Sequence, residues 1–358
     1  MNLHIAPDNT FTNKFYENLR EIGAEENNRI VVRTNDKALK HIRYPLPFGA
    51  LYTENFNSLV GDTMSYEKVF IHYFTPLLYR WVARNKFKEL NWMVWGGDLY
   101  NLPELDNGCY EPITWKEYVK KDRSWQTTLY NLKVAMTQKP FRKEAYGKVR
   151  NILTWMKAEF DFACKHLPVH SEHRFFFYEN QMPYQELDNL IQPLRKNPRP
   201  VLIVGNSASP TNNHLDVIDF LNTKKIEADL HVPISYGDQR YAAFLRKHLK
   251  YHHGTLTFMD QYLPFHEYLS FLNSSDGLVM NTIRPQGYGN ILMMMYLNKP
   301  VFFNEKNISL PDLNSAGFSL RTLGDLRTIS YPFSNNKAAV TKLLSHQRLV
   351  ESYHALFD

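Results

Sequence analysis

The sequence predicts an α/β protein built of two doubly wound, Rossmann-like domains. Short apolar runs alternate with stretches whose apolar residues recur at helical spacing, which is the pattern of parallel βαβ units. The alternation restarts after a polar segment punctuated by Pro183, Pro193, Pro198 and Pro200. A length of 358 residues favours two domains over one.

In the first half, Leu3 to Ala6, Ile30 to Arg33, Val69 to Tyr73, Asn91 to Trp95 and Asn151 to Trp155 read as strands. Helical spacing covers Phe11 to Ile22 and Thr75 to Arg84. Thr114 to Arg150 reads as a basic, aromatic helical insertion broken at Pro140. In the second half the strands are Val201 to Gly205, Asp229 to Pro233, Thr255 to Met259, Gly277 to Thr282 and Pro300 to Asn304. The boundary falls near Leu190. Residues 1–190 form an N-terminal domain carrying the insertion at about 114–150, and residues 191–358 form a C-terminal domain. Two such domains facing across a cleft make the architecture called GT-B, and the facing is an expectation at this stage.

Composition narrows the class. With 44% hydrophobic and 14% aromatic residues the chain buries a sizeable core, which excludes disorder. No apolar run approaches the roughly 20 residues that span a bilayer. The N-terminus lacks the basic and apolar regions of a secretory signal, so the expected compartment is the cytoplasm. Cys109 and Cys164 stand alone, without metal-ligand spacing. The net charge of +6 suits anionic lipids, phosphorylated substrates or nucleic acid without choosing among them.

Three constellations can carry chemistry. Val201 to Val204 runs into Gly205-Asn206-Ser207, followed by a helix starting near Asn212 or Asn213. Ligands of open α/β sheets bind at such strand ends, where loop amides and helix N-termini converge on anions. Gly205 admits close backbone approach, and Asn206 and Ser207 can bind phosphate or sugar hydroxyls. An ordinary capped turn is the competing reading. Second, Arg284-Pro-Gln-Gly-Tyr-Gly-Asn290 precedes a helix. Its glycines Gly287 and Gly289 free amides for a diphosphate, and Arg284 can add a charge-assisted contact. Tight packing alone is the alternative here. Met293, Met294 and Met295 read as core.

Third, Trp92-Met-Val-Trp-Gly-Gly-Asp98 places a carboxylate at a strand end. Asp98 is the candidate base for an acceptor hydroxyl, against the alternative that it caps a helix beginning at Leu99. Trp92 and Trp95 read as core. His72 ends its strand, where it either binds substrate or serves as a structural imidazole. Asp8 and Asn9 follow the first strand, where such folds line their clefts. His252 and His253 read as surface residues.

Absences discriminate too. No Asp-x-Asp is present, so the leaving group must be neutralised by cations and helix N-termini, and the chemistry is expected to need no metal or other cofactor. No Walker loop, first-strand Gly-x-Gly-x-x-Gly or Gly-x-Ser-x-Gly elbow occurs.

Four motifs in order, Val94-Trp-Gly-Gly-Asp-Leu-Tyr-Asn-Leu102, Ile203-Val-Gly-Asn-Ser207 with Asn213-His214, Val232-Pro-Ile-Ser-Tyr-Gly237 and Arg284-Pro-Gln-Gly-Tyr-Gly289, resemble the TDP-N-acetylfucosamine:lipid II N-acetylfucosaminyltransferases, glycosyltransferase family 56. The resemblance spans roughly residues 65 to 310. It implies a GT-B fold and inverting transfer of 4-acetamido-4,6-dideoxygalactose from a TDP-sugar to an undecaprenyl-diphosphate-linked saccharide. By the same resemblance, Gly205, Asn206, Ser207, Arg284, Gln286, Gly287, Gly289 and Asn290 bind the nucleotide diphosphate. Tyr236 and Gly237 lie near the base or ribose, and Asp98 faces the anomeric carbon from the acceptor half.

The expected partners are thus a TDP-sugar donor, a lipid-linked saccharide and, through the basic insertion, an anionic membrane at the cytoplasmic face of the bacterial inner membrane. A solvated charged face is the alternative for that insertion. A GT-B-type sugar-nucleotide epimerase, which needs no acceptor, is the rival enzyme. A basic nucleic-acid-binding protein is the rival from another class, although no nucleic-acid module is present and nucleic acid is not an expected partner.

Overall fold

The computed structural model describes residues 1–102, 108–121, 125–178, 182–190, 199–327 and 336–357. The chain divides into two compact units. The first comprises Met1–Leu105, Ser124–Asn180 and Ser345–Asp358, and the second Asp106–Arg123 and Gln181–Leu344. Among the described residues no helix is long and apolar enough to cross a membrane.

The first unit holds seven strands: β1 (Asn2–Pro7), β2 (Asn28–Arg33), β3 (Phe48–Gly49), β4 (Val69–His72), β5 (Leu90–Met93), β6 (Val149–Thr154) and β7 (Glu172–Phe175). They form one parallel sheet in the order β3-β2-β1-β4-β5-β6-β7. The second unit holds β8 (Val201–Val204), β9 (Asp229–Pro233), β10 (Leu256–Met259), β11 (Gly277–Met280), β12 (Val301–Phe303) and β13 (Arg321–Thr322). Their order is β10-β9-β8-β11-β12-β13, again parallel. Each sheet reverses its strand order beside its first strand, and that switch point opens a crevice at the carboxyl ends of the strands. Both halves therefore have the expected Rossmann-like winding.

The central strands were legible because parallel strands covered on both faces are continuous apolar runs. All four residues of β4 and of β5 are buried. The three strands absent from the sequence reading lie at or beside sheet edges. Two of them have only two residues, and β7 alternates charge with half-burial, so none needs an apolar run.

The division into units differs from a single cut near residue 190 in two places. Residues 106–123 join the second unit, because Ile113 N, Thr114 N and the Thr114 hydroxyl all donate to the Asp216 carboxylate at 2.6–2.9 Å. Tyr118 then packs on Tyr241 and Phe244, with ring centroids 4.7 and 5.0 Å away. The insertion is thus divided between the two units. Lys116, Lys120 and Lys121 belong to the second unit, and Lys133, Lys139, Arg142 and Lys143 to the first, while Arg123 lies outside the described residues. At the other end, the helix His346–Phe357 joins the first unit. Its Tyr353 stacks at 5.7 Å from Phe15 and accepts a hydrogen bond from Asn18, filling the aromatic core against β1. Of the four linker prolines, Pro193 and Pro198 lie outside the described residues.

Candidate active site

At the switch point of the second unit, the loop after β8 meets the loop after β11. Gly205 adopts a left-handed φ of +73°, and a Cβ there would stand 2.7 Å from His214 Nε2. Only glycine fits both demands. His214 itself is fully buried, and desolvation lowers its pKa to about 3, so it is neutral. Gly287 repeats the requirement, with φ +70° and a Cβ position 2.8 Å from Met280 Cε and 3.0 Å from Asn206 Cγ. It is the N-cap of the helix Tyr288–Tyr296, whose first amides have no carbonyl of the preceding turn to bond. Gly289 is exposed, with open space where a side chain would start. The two glycine loops thus press together through Gly287 and Asn206.

Asn206 joins them. Its Oδ1 accepts from Gln286 Nε2 at 3.0 Å, and its Nδ2 donates to the Tyr236 hydroxyl at 3.0 Å. Gln286 Oε1 in turn accepts from the Thr211 hydroxyl, which also receives Arg284 Nη2 at 3.4 Å. Ser207 is buried, and its carbonyl accepts from Asn212 Nδ2, so its part is to shape the turn. Gly237, with φ +107°, lets the loop after β9 bridge to Ala208, whose backbone would lie 2.8 Å from any Cβ there.

Beside this network lies a cavity of about 340 Å³ within the second unit. Asn206 and Asn290 supply its carboxamides, while Tyr236, Met259, Tyr262, Phe265 and Tyr268 supply aromatic and apolar wall. Tyr236, Tyr262 and Phe265 expose large aromatic faces, 49%, 84% and 55% respectively. Burial raises the pKa of Tyr268, so its hydroxyl stays protonated. Aromatic rings and carboxamides beside helix N-terminal amides and an arginine can hold a flat ring and an anionic group side by side. Sequence reasoning missed Tyr262, Phe265 and Tyr268. Their one signal was position, directly after the carboxyl end of β10.

In the first unit the expected residues are already engaged by their own fold. Asp98 is 1% exposed. Its Oδ2 accepts from Trp92 Nε1 at 2.6 Å and Phe74 N at 2.9 Å, and its Oδ1 from Trp95 N at 2.9 Å. Desolvation raises its pKa against those hydrogen bonds. This geometry corrects the base assignment. The carboxylate ties the loops after β4 and β5 together, a structural role close to the capping alternative.

His72 is likewise corrected from cleft residue to core: it is wholly buried, between His4 and the Tyr178 hydroxyl. Asp8 accepts from the amides of Lys40 and His41, and Asn9 caps the helix Thr10–Glu21 through Phe11 N. Both residues shape their loops.

Trp92 is core as expected, but Trp95 is not. It is half-buried among Phe11, Tyr73 and Tyr178, with ring centroids 5.3–5.6 Å apart. Nearby, Arg33 donates to the Tyr73 carbonyl at 2.8 Å. Burial lowers its pKa to about 10 while Asp98 and Tyr73 oppose the shift, so it remains cationic. The carboxyl edge of this sheet therefore carries an aromatic group and a charged guanidinium. Met293, Met294 and Met295 are buried, as expected of core.

Similarity to known proteins agrees with this architecture. The chain covers 100% of its length on 98% of a sucrose-phosphate synthase from Thermosynechococcus elongatus, at TM-score 0.54 and 12% identity. An α,α-trehalose-phosphate synthase from Burkholderia xenovorans gives TM-score 0.53 at 8% identity, over 99% of this chain and 96% of that one. Anabaena HepE, solved with UDP and glucose, gives 0.50 at 12% identity, over 99% and 98%. At such identities the likeness shows the fold, which is GT-B. No curated protein matches the sequence. Residues 121–328, more than half of the chain and including both glycine loops, match the family described as 4-alpha-L-fucosyltransferase, glycosyl transferase group 56. The chain belongs to that family, and it is a glycosyltransferase.

Proposed function

We propose that the enzyme moves 4-acetamido-4,6-dideoxygalactose from its TDP conjugate to an undecaprenyl-diphosphate-linked saccharide, with inversion and without a metal, in surface polysaccharide biosynthesis. The acceptor places the enzyme as a peripheral protein at the cytoplasmic face of the bacterial inner membrane. The observation that carries the donor half is the Asn206 side chain, which links the aromatic cavity to the Arg284–Asn290 loop. One bound nucleotide can then place its base against Tyr236 and Tyr268 and its diphosphate at the N-terminus of the helix Tyr288–Tyr296.

In a single displacement the acceptor hydroxyl forms the new bond to the anomeric carbon as the bond to TDP breaks. TDP leaves with the electron pair, and the hydroxyl proton passes to solvent water or to a diphosphate oxygen of the departing TDP. Arg284 and the amides of Gly289 and Asn290 stabilise the departing charge, a task that preorganised donors perform without reorganisation. Asp98 supports the loop and is given no proton-transfer role. Trp95 and Phe11, beside the cationic Arg33, offer stacking faces and charge to a saccharide diphosphate in the first unit.

Thermal stabilisation tests the reading directly, because a ligand that binds only the folded state raises stability by mass action. TDP is expected to raise the melting temperature more than UDP, GDP, CDP or ADP do, with and without magnesium. An unchanged melting temperature with all five would remove the nucleotide cavity. Incubation with TDP-sugar and lipid-linked acceptor, followed by product analysis, then tests the transfer itself.

A further inference from the structure

The first unit holds a second pocket, of about 400 Å³, lined among others by Tyr52, Asn57, Gly61, Arg80, Trp81 and Arg84. Arg80 and Arg84 are four residues apart in the helix Tyr79–Arg84, so their side chains share a face. Among the described residues neither arginine pairs with a carboxylate, and Arg80 Nε is buried with no hydrogen-bond partner. Their guanidinium groups lie over rings instead, Arg80 at 5.8 Å from Tyr52 and Arg84 at 5.7 Å from Phe141. Such contacts hold a cation in place without neutralising it.

This pocket adjoins the end of the helix Trp125–Thr137. Gln138 Oε1 accepts from both Arg80 N and the Tyr52 hydroxyl, at 3.1 and 3.2 Å. The helix presents Leu129, Leu132 and Met136 to the outside, 54%, 55% and 71% exposed, while Val134 is buried. Their spacing of three and four residues puts them on one stripe. Lys133 on the same helix, and Lys139 and Lys143 on the turn and helix that follow it, are exposed. An apolar stripe with exposed lysines on and just after its helix, next to a pocket with two arginines unpaired with any carboxylate among the described residues, complements one kind of surface, in which hydrocarbon lies beneath phosphate.

We infer that this face docks on an anionic bilayer, with Leu129, Leu132 and Met136 entering the acyl boundary and a lipid headgroup phosphate seated between Arg80 and Arg84. The inference deepens the membrane-bound acceptor reading and takes its cellular sense from it. The binding itself needs neither donor nor acceptor.

The test is flotation of the full chain with phosphatidylcholine vesicles, with and without phosphatidylglycerol, at one ionic strength. Wild type is expected to bind the anionic vesicles about tenfold or more better than the neutral ones. The Arg80→Gln/Arg84→Gln variant should lose that preference, and Arg80→Lys/Arg84→Lys should restore part of it. Leu129→Ser/Leu132→Ser/Met136→Ser alters only exposed positions, so it should fold normally and release from both vesicle types. That variant decides the matter if the arginine variant does not fold.

Equal binding to the two vesicle types, or full binding by either the glutamine or the serine variant, overturns the inference. So does stabilisation by inorganic pyrophosphate through the two arginines without vesicle binding, which would make the pocket a site for a soluble anion. The TDP melting shift is read in the second unit. A failed flotation with an intact TDP shift therefore sinks the docking face alone, and the reverse result sinks the donor cavity alone.

Discussion

His72 donates from Nε2 to Nδ1 of His4 across 3.0 Å, and their neighbours set the direction of that bond. Asn28 Oδ1, an acceptor that also takes Asn2 Nδ2, requires the proton of His4 to sit on Nε2. His4 Nδ1 is then a lone pair, His72 Nε2 carries a proton, and His72 Nδ1 accepts from the Tyr178 hydroxyl at 2.7 Å. The chain of bonds is complete with both rings neutral. Burial enforces that state by lowering His4 to about 3 and His72 well below its ordinary value.

Acid should therefore destabilise the protein early. These histidines bind protons when unfolded and not when folded, so their stabilisation is present above the ordinary value of 6.5. It is lost as pH falls from there, for His4 towards about 3 and for His72 over a window that also opens at 6.5 and runs well below it. Each contributes a slope of about 1.4 kcal/mol per pH unit in that window. His4 and His72 act together in the first unit, and His214 adds the same sign in the second. Asp98 has the opposite sign, because its raised pKa favours the folded state as pH falls, and it offsets part of the loss. Urea unfolding near pH 7.5 and near pH 5.5 checks this. Equal stability at the two values would mean that the buried rings are not held neutral.

Asp98→Asn separates holding from catalysis. An amide oriented with its oxygen at Oδ2 keeps Trp92 Nε1 and Phe74 N but turns an NH2 group towards Trp95 N. The expected cost is about 1–3 kcal/mol in unfolding free energy, for one buried donor left unmatched. Turnover per folded enzyme should stay within about tenfold of wild type. A drop of about a thousandfold with unchanged stability would instead make the carboxylate the base.

Gly205→Ala and Gly289→Ala should behave oppositely. The first forces an L side chain into a left-handed φ against His214, at a cost of about 1–3 kcal/mol, and should weaken TDP binding as the loop shifts. The second has open space and a helical backbone, so the melting temperature should hold or rise slightly. Its TDP shift should still fall, because the added Cβ crowds a diphosphate held at the Gly289 amide. Calorimetric unfolding with and without TDP reads both effects.

Tyr268→Ala removes a wall of the 340 Å³ cavity and should weaken TDP by roughly tenfold to a hundredfold, the range of one lost base stack. Tyr236→Phe keeps the ring and loses only the hydroxyl that accepts from Asn206, so the loss should be under about tenfold. Titration calorimetry distinguishes the two. Equal, small effects would place the base elsewhere.

Much of the chain was legible from patterning alone. Buried parallel strands such as β4 and β8 announce themselves as apolar runs, and Gly205 and Gly287 mark backbone that only glycine adopts. The edges were not legible, since β7 pairs by backbone bonds that Glu-His-Arg-Phe does not advertise. The aromatic cavity wall was also hidden, because Tyr262, Phe265 and Tyr268 follow no motif and gain meaning only from where β10 ends.

By itself, then, the sequence determined the two α/β windings, the paired glycine loops and the family, all of which are local or ordered along the chain. Tertiary structure alone decided that Ile113 and Thr114 bond to Asp216, that the last helix packs beside Phe15, and that the Asp98 and His72 side chains are buried. Each of those outcomes depends at least in part on a donor or ring met across more than twenty residues of chain, as Asp98 meets Phe74 N, and spacing along the sequence does not encode that meeting.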